Sequence, residues 1–211
     1  SLESILEALR GTIGPGLLGR DIMDLQGNCD IVQNAVLKNT SAKAAAEIAL
    51  YDLFAQQAGK PLYQVLGGGQ PRLITDLTIS ANDTATMLYD CESALERGFT
   101  ALKIKVGKDV GDDIARLQAI RRAVAGRASL RIDANQGWSA EQTISVMHTL
   151  ESGGEPFELI EQPVSAEDIQ GLIKIRAGIK TPLLADESAF NLEQVRQLLA
   201  LGAADIINIK L

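Results

Sequence analysis

Residues 101–138 read ALKIKVGKDVGDDIARLQAIRRAVAGRASLRIDANQGW. Ala101–Val106 and Ser129–Asp133 have the length and aliphatic content of strands, and Val110–Val124 between them is predicted as a helix. Working outward, the same rhythm extends in both directions. Strands are predicted at Leu73–Ser80, Phe157–Glu161, Pro182–Ala185 and Asp205–Lys210, and helices at Thr84–Arg97, Ser139–Ser152, Ala166–Ala177 and Leu192–Leu201, with Ser139 and Asn191 as N-caps. Strands alternating with helices predict a parallel α/β fold. A doubly wound sheet and a (β/α)8 barrel both fit this rhythm, although no GxGxxG follows the first strand to favour a dinucleotide site. Two further strands would complete a barrel of about 250 residues.

The charged residues fall at the strand ends. Lys105, Asp133, Glu161, Asp186 and Lys210 are separated by 28, 28, 25 and 24 residues, each about one βα unit. Such a series converges on one rim of a barrel, the rim where barrel enzymes carry their chemistry. Taken alone, Lys103-Ile-Lys105 describes a strand with one wet face, and an Asp after a strand describes a helix cap. Together they describe something else. Side chains alternate along a strand, so Lys103 and Lys105 share one face while Leu102, Ile104 and Val106 take the other. Parallel strands are covered on both faces, so lysines opposite a helix-covered face point inward, where ammonium groups need partners. Asp133, Glu161 and Asp186 supply them. As three hard oxygen ligands without a nearby His or Cys, these acids suit Mg²⁺ or Mn²⁺ rather than Zn²⁺. Asn135 shares the face of Asp133 and is a candidate donor behind the ligands.

Lys103-Ile-Lys105, Asp133-Ala-Asn-Gln-Gly-Trp138, Glu161-Gln-Pro163, Ala185-Asp-Glu-Ser188 and Ile207-Asn-Ile-Lys210 resemble the enolase superfamily, muconate lactonizing enzyme subgroup. Their wording and spacing are most similar to its dipeptide epimerases of the L-Ala-D/L-Glu type. The resemblance implies a modified (β/α)8 (TIM) barrel, incomplete in this chain, preceded by the helical part of an α+β capping domain, with residues 1–70 in the cap and 71–211 in the barrel. It implies an isomerase in which Asp133, Glu161 and Asp186 hold Mg²⁺ and the substrate carboxylate binds to the ion. Lys105 and Lys210 then flank the α-carbon and exchange its proton through an enediolate. In similar enzymes the second Lys of KxK faces the S-configured proton and the later Lys the R-configured one. Lys103 assists electrostatically, lowering the pKa of Lys105 and holding the carboxylate. Thr78 matches a first-strand Thr that lines the pocket, although a β-branched residue in a strand needs no function. The implied partner is a small-molecule carboxylate, a dipeptide, in a cytoplasmic homo-oligomer. Muconate-type cycloisomerases and o-succinylbenzoate synthases share these motifs and remain alternatives. A non-catalytic barrel is disfavoured, because clustered buried carboxylates have no structural value without a cation.

Residues 1 to about 70 have a different pattern, helical and Ala-rich. Ala45, Ile48, Ala49 and Leu53 fall at helical spacing and predict a small-residue face packed on a neighbour; Gly59-Lys-Pro61 ends that helix and Leu66-Gly-Gly-Gly69 makes a turn. The chain opens within a helical pattern without a Met and closes on a strand-like run, which predicts a segment of a longer protein. The formal net charge of −7 argues against a nucleic-acid partner, and no apolar run approaches the ~20 residues of a membrane span. Cys29 and Cys91, far apart and outside any CxxC, read as free buried thiols of a reducing compartment. His148 lies in a predicted helix away from the strand ends and reads as structural, Trp138 as packing at a helix start, and Asp112 and Asp113 as first-turn acids favoured by the helix dipole. Glu187 adjoins Asp186 and could exchange roles with it.

Overall fold

A computed structural model describes residues 1–69 and 73–210. The chain divides into two compact units, Ser1–Leu73 and Ile74–Lys210.

The first unit is helical: α1 (Leu2–Ala8), a π-type turn (Leu9–Ile13), α2 (Gly14–Leu17), α3 (Leu25–Ala35), α4 (Thr40–Gln57) and α5 (Leu62–Val65). Ser1 and Asp24 cap α1 and α3 by accepting backbone N–H bonds. Ala8, Ile13, Cys29, Val32, Ala42, Ala46 and Leu50 form its core. The buried stripe of α4 is therefore Ala42, Ala46 and Leu50, whereas Ala45, Ile48, Ala49 and Leu53 are exposed. The expected face is corrected by one position. Alanines lie on several sides of α4, so apolar spacing by itself does not fix which side α3 covers.

The second unit carries, among the described residues, a six-stranded parallel sheet in the order β1-β2-β3-β4-β5-β6. The strands are β1 (Leu77–Ile79), β2 (Ala101–Lys105), β3 (Ser129–Asp133), β4 (Leu159–Glu161), β5 (Leu183–Ala185) and β6 (Ile206–Ile207). The intervening helices are α6 (Thr84–Glu96), α7 (Val110–Val124), α8 (Ala140–Glu151), α9 (Ile169–Gly178) and α10 (Leu192–Leu201). A doubly wound sheet reverses its strand order at a switch point; this sheet never does, which leaves the (β/α)8-barrel type. All the strands but β3 are shorter than expected, β1 and β6 by the most. Pairing with β2 begins only at Leu77, and Leu73 and Ile74 are exposed, so the preceding residues have no ladder to join. β6 pairs at Ile206 and Ile207, and Asn208 N–H still donates to Ala185 O, but Lys210 lies beyond the ladder.

Register fixes which residues share a face. Thr78 lies opposite Lys103, Lys105 opposite Asp133, and Asp133 opposite Glu161. On the other face Leu102, Ile104, Ile132, Ile160, Leu183 and Ala185 join Met87, Leu117, Ile120, Met147, Leu172 and Ile175 in the core between sheet and helices. Asp83, Asp109, Ser139, Asp168 and Asn191 cap the helices, Ser139 in a full capping box with Gln142.

The loops that follow β2 and β3 meet backbone to backbone. A Cβ on Gly137 would stand 2.3 Å from Gly107 O and 2.6 Å from Gly107 Cα; Gly107, at φ +106°, has Ala134 O equally close. Neither neighbour is a flexible side chain that can give way. Gly137→Ala is expected to cost about 1–3 kcal/mol of overpacking strain, seen as a lower thermal midpoint.

Candidate active site

The strand-end charges meet on the face opposite the helix-covered core. Asp133 is 1% exposed, Glu161 4% and Asp186 7%. Lys105 Nζ donates to Asp133 Oδ2 at 2.7 Å and to Asn135 Oδ1. Lys103 Nζ lies 3.3 Å from both Asp133 Oδ2 and Glu161 Oε2. Lys210 Nζ donates to Asp186 Oδ2 at 2.5 Å, and Asn208 Nδ2 donates to Asp186 Oδ1 at 3.2 Å. The result is a row of three acids from β3, β4 and the end of β5, with Lys105 at one end and Lys210 at the other. Thr78 lies on the lysine face, exposed and in register with Lys103.

The electrostatics follow from burial and crowding. Glu161 has its pKa raised, first by burial and then by the charge of Asp133, with Asp186 adding to it against the pull of Lys103. Burial opposes the charge on Lys103, but Glu161 and Asp133 outweigh it and its pKa is raised. Lys210 is also raised, chiefly by its hydrogen bond to Asp186, which favours its ammonium form.

Among the described residues no three His, Cys, Asp or Glu side chains stand close enough together to enclose a metal ion. The carboxylates turn toward the ammonium groups instead. The donor set nevertheless fits a hard divalent cation: the three acids are buried, offer only oxygen, and lie near enough for Asp133 and Asp186 to oppose ionisation of Glu161. Beside them, Glu187 Oε2 is buried without a hydrogen-bond partner, an acceptor that a cation or its water would satisfy.

Several residues that hold this site escaped the sequence reading. Gln162 is fully buried and takes a φ of +33° directly before Pro163, a conformation non-glycine residues rarely adopt. Its Oε1 accepts from the Asp186 and Ser188 N–H groups at 2.9 and 3.1 Å, and its Nε2 donates to Val164 O and Ser188 Oγ at 3.0 and 2.8 Å. Gln162 thus fixes the turn that carries Asp186. Asp113, read as an ordinary first-turn acid, is instead completely buried. It accepts from Gly107 N–H at 2.9 Å, Arg116 Nη1 at 2.9 Å and Trp138 Nε1 at 3.3 Å, tying the loop after β2 to the start of α8. Helix position marks it as an acid near an N-terminus; only the fold brings Gly107 and Trp138 to it. Asp113→Ala is expected to cost about 3–5 kcal/mol, because it strands a partly buried guanidinium, the buried Trp138 N–H and the partly buried Gly107 N–H. Asp112→Ala, at an exposed neighbour, is expected to stay within about 0.5 kcal/mol, and chemical denaturation of the pair checks the contrast. His148, exposed on α8, contacts Gly178 O at 2.7 Å and has no part in the site.

Residues 86–211 match the family described as "Enolase C-terminal domain-like", and residues 1–67 match "Mandelate racemase / muconate lactonizing enzyme, N-terminal domain". The chain belongs to the mandelate racemase/muconate lactonizing enzyme family of the enolase superfamily. It is 44% identical to the L-Ala-D/L-Glu epimerase of Bacillus subtilis (strain 168), over 100% of this chain and 58% of that protein. Its structure resembles a dipeptide epimerase from Enterococcus faecalis V583 complexed with Mg and the dipeptide L-Leu-L-Tyr (TM-score 0.93, 36% identity, 100% of this chain and 58% of that one). It also resembles the muconate lactonizing enzyme from Pseudomonas putida (TM-score 0.89, 30% identity, 100% and 58%). The chain thus spans under two thirds of the length of these relatives.

Proposed function

We propose that the full-length protein is a Mg²⁺-dependent dipeptide epimerase, an isomerase that moves the proton on the carbon next to a carboxylate. The observation that carries this reading is the arrangement of two amines, Lys105 and Lys210, at opposite ends of one row of buried carboxylates. Asp133, Glu161 and Asp186 would hold the ion, which when bound supplies positive charge to the oxygens of the developing enediolate. Lys105, as a neutral amine, takes the proton from the S-configured substrate, and Lys210, as an ammonium, returns one from the other side; the roles reverse for the R-configured substrate. Lys103 balances Asp133 and Glu161 and helps to hold the substrate carboxylate, and Thr78 lines the pocket. In this reading residues 1–70 are the helical part of a capping domain and 71–211 hold six barrel strands.

Identity to the B. subtilis epimerase supports a dipeptide such as L-Ala-L-Glu over muconate, the alternative suggested by the P. putida structure. The deciding experiment incubates full-length protein and Mg²⁺ with a dipeptide panel, cis,cis-muconate and the substrate of o-succinylbenzoate synthase. Epimerised dipeptide on chiral chromatography supports the proposal; turnover of muconate or the synthase substrate alone overturns it. No helix among the described residues is long and apolar enough to cross a membrane. A cytoplasmic location belongs to the same proposal, and the free, buried Cys29 and Cys91 fit it. A homo-oligomer is also expected, and light scattering measures it.

A further inference from the structure

Behind Lys105 stands a chain of contacts that the proton-transfer reading does not use. After β3 the backbone turns left-handed, with φ +42° at Asn135 and +65° at Gln136, and Asn135 N–H donates to Asp133 Oδ1 at 3.0 Å. This turn carries the Asn135 carboxamide across the rim. Its Oδ1 accepts from Lys105 Nζ, and its Nδ2 donates to Glu187 Oε1 at 3.2 Å. The two ends of a carboxamide are nearly equal in shape, so its neighbours decide which way it points. An ammonium offers only donors and an ionised carboxylate only acceptors, so Glu187 and Lys105 together select a single orientation. The backbone that carries Glu187 is itself fixed. Glu187 opens the short turn Glu187–Ala189, where Gln162 Oε1 accepts from the N–H groups on either side of it and Ser188 Oγ donates to Ala166 O at 2.8 Å.

We infer that Glu187 is a positioning residue for Lys105, acting through the carboxamide of Asn135. It is therefore not an exchangeable counterpart of Asp186. Asn135 and Asp133 take two of the three positions around Lys105 Nζ and leave the third for the proton it exchanges with the substrate. Without an acceptor at position 187 the carboxamide can swing its NH₂ toward the lysine, and Nζ loses one of its two anchors. The inference rests on the proposal that Lys105 serves the S-configured face.

The test compares α-proton exchange of the two diastereomeric substrates in D₂O, using full-length protein with Mg²⁺. Glu187→Leu and Glu187→Gln both remove the charge that Lys210 also senses, but only Gln keeps an acceptor for Asn135. Glu187→Leu is expected to slow exchange of the S-configured substrate by about tenfold or more relative to the R-configured one, and Glu187→Gln to restore most of it. Should Glu187→Leu fail to fold, as judged by its thermal midpoint, a reversed pair decides. Asn135→Asp sets two carboxylates against each other and is expected to lose the same face. Adding Glu187→Gln restores net charge, reverses the direction of the hydrogen bond and recovers exchange. Equal slowing of both faces, no slowing, or failure of both the Gln variant and the reversed pair to recover exchange would overturn the inference while leaving the proposed function standing. If the wild-type protein exchanges neither substrate, the proposed function falls and takes this inference with it.

Discussion

Lys105→Ala is expected to abolish exchange of the α-proton of the S-configured substrate while slower exchange of the R-configured substrate survives. A positioned acid–base group contributes about 10²–10⁴-fold, so the loss on one face is expected within that range. The fold should tolerate the change. Asp133 keeps Lys103 at 3.3 Å, so no buried carboxylate is left alone, and Lys105 is partly solvent-exposed. A small shift in thermal midpoint alongside a one-sided loss of exchange separates this role from a structural one. Lys210→Ala is expected to give the mirror-image result. Equal residual exchange of both substrates in either variant would show that the two amines do not divide the faces between them.

Asp133→Asn is expected to fail differently, on both faces at once. Asp133 sits at the join of two lysine contacts and one backbone N–H, and it is one of three proposed ligands. Replacing it with the isosteric amide removes its charge and keeps its shape. A ligand present at 100 times its dissociation constant stabilises the folded state by about 2.7 kcal/mol. Millimolar Mg²⁺ is therefore expected to raise the thermal midpoint of the wild-type protein and to leave that of Asp133→Asn nearly unmoved. Exchange of both substrates should fall by at least about 10²-fold, the scale of losing electrostatic stabilisation at the reacting oxygens. An unaltered Mg²⁺ response in Asp133→Asn would remove it from the ligand set.

These expectations show how unevenly the sequence reveals the molecule. α7 and α10 run over the expected residues, Val110–Val124 and Leu192–Leu201, and β3 over Ser129–Asp133, because apolar period, caps and flanking turns agree there. The strand-end charges were legible for a simple reason: one βα unit has a nearly constant length, so residues spaced by one unit land on the same rim. What stayed hidden depends on neighbours distant in the chain. Strand ends are set by where a partner's ladder stops, which shortened β1 and β6. The buried side of α4 depends on α3, and alanines on several sides of α4 cannot report it. Gln162 and Asp113 have ordinary surface-type chemistry in sequence, and only tertiary structure buries them among donors from other loops. Their one signal was position, with Gln162 between Glu161 and Pro163 and Asp113 in the first turn of the helix that follows Gly107.

The most direct measurement is proton exchange by the full-length wild-type protein in D₂O, followed by NMR, with L-Ala-L-Glu and L-Ala-D-Glu offered separately, with Mg²⁺ and after chelation. Two amines flanking one carbon predict that each dipeptide loses its α-proton signal, that the two interconvert, and that chelation stops both. Exchange of one dipeptide without conversion to the other, or exchange indifferent to chelation, would contradict the account.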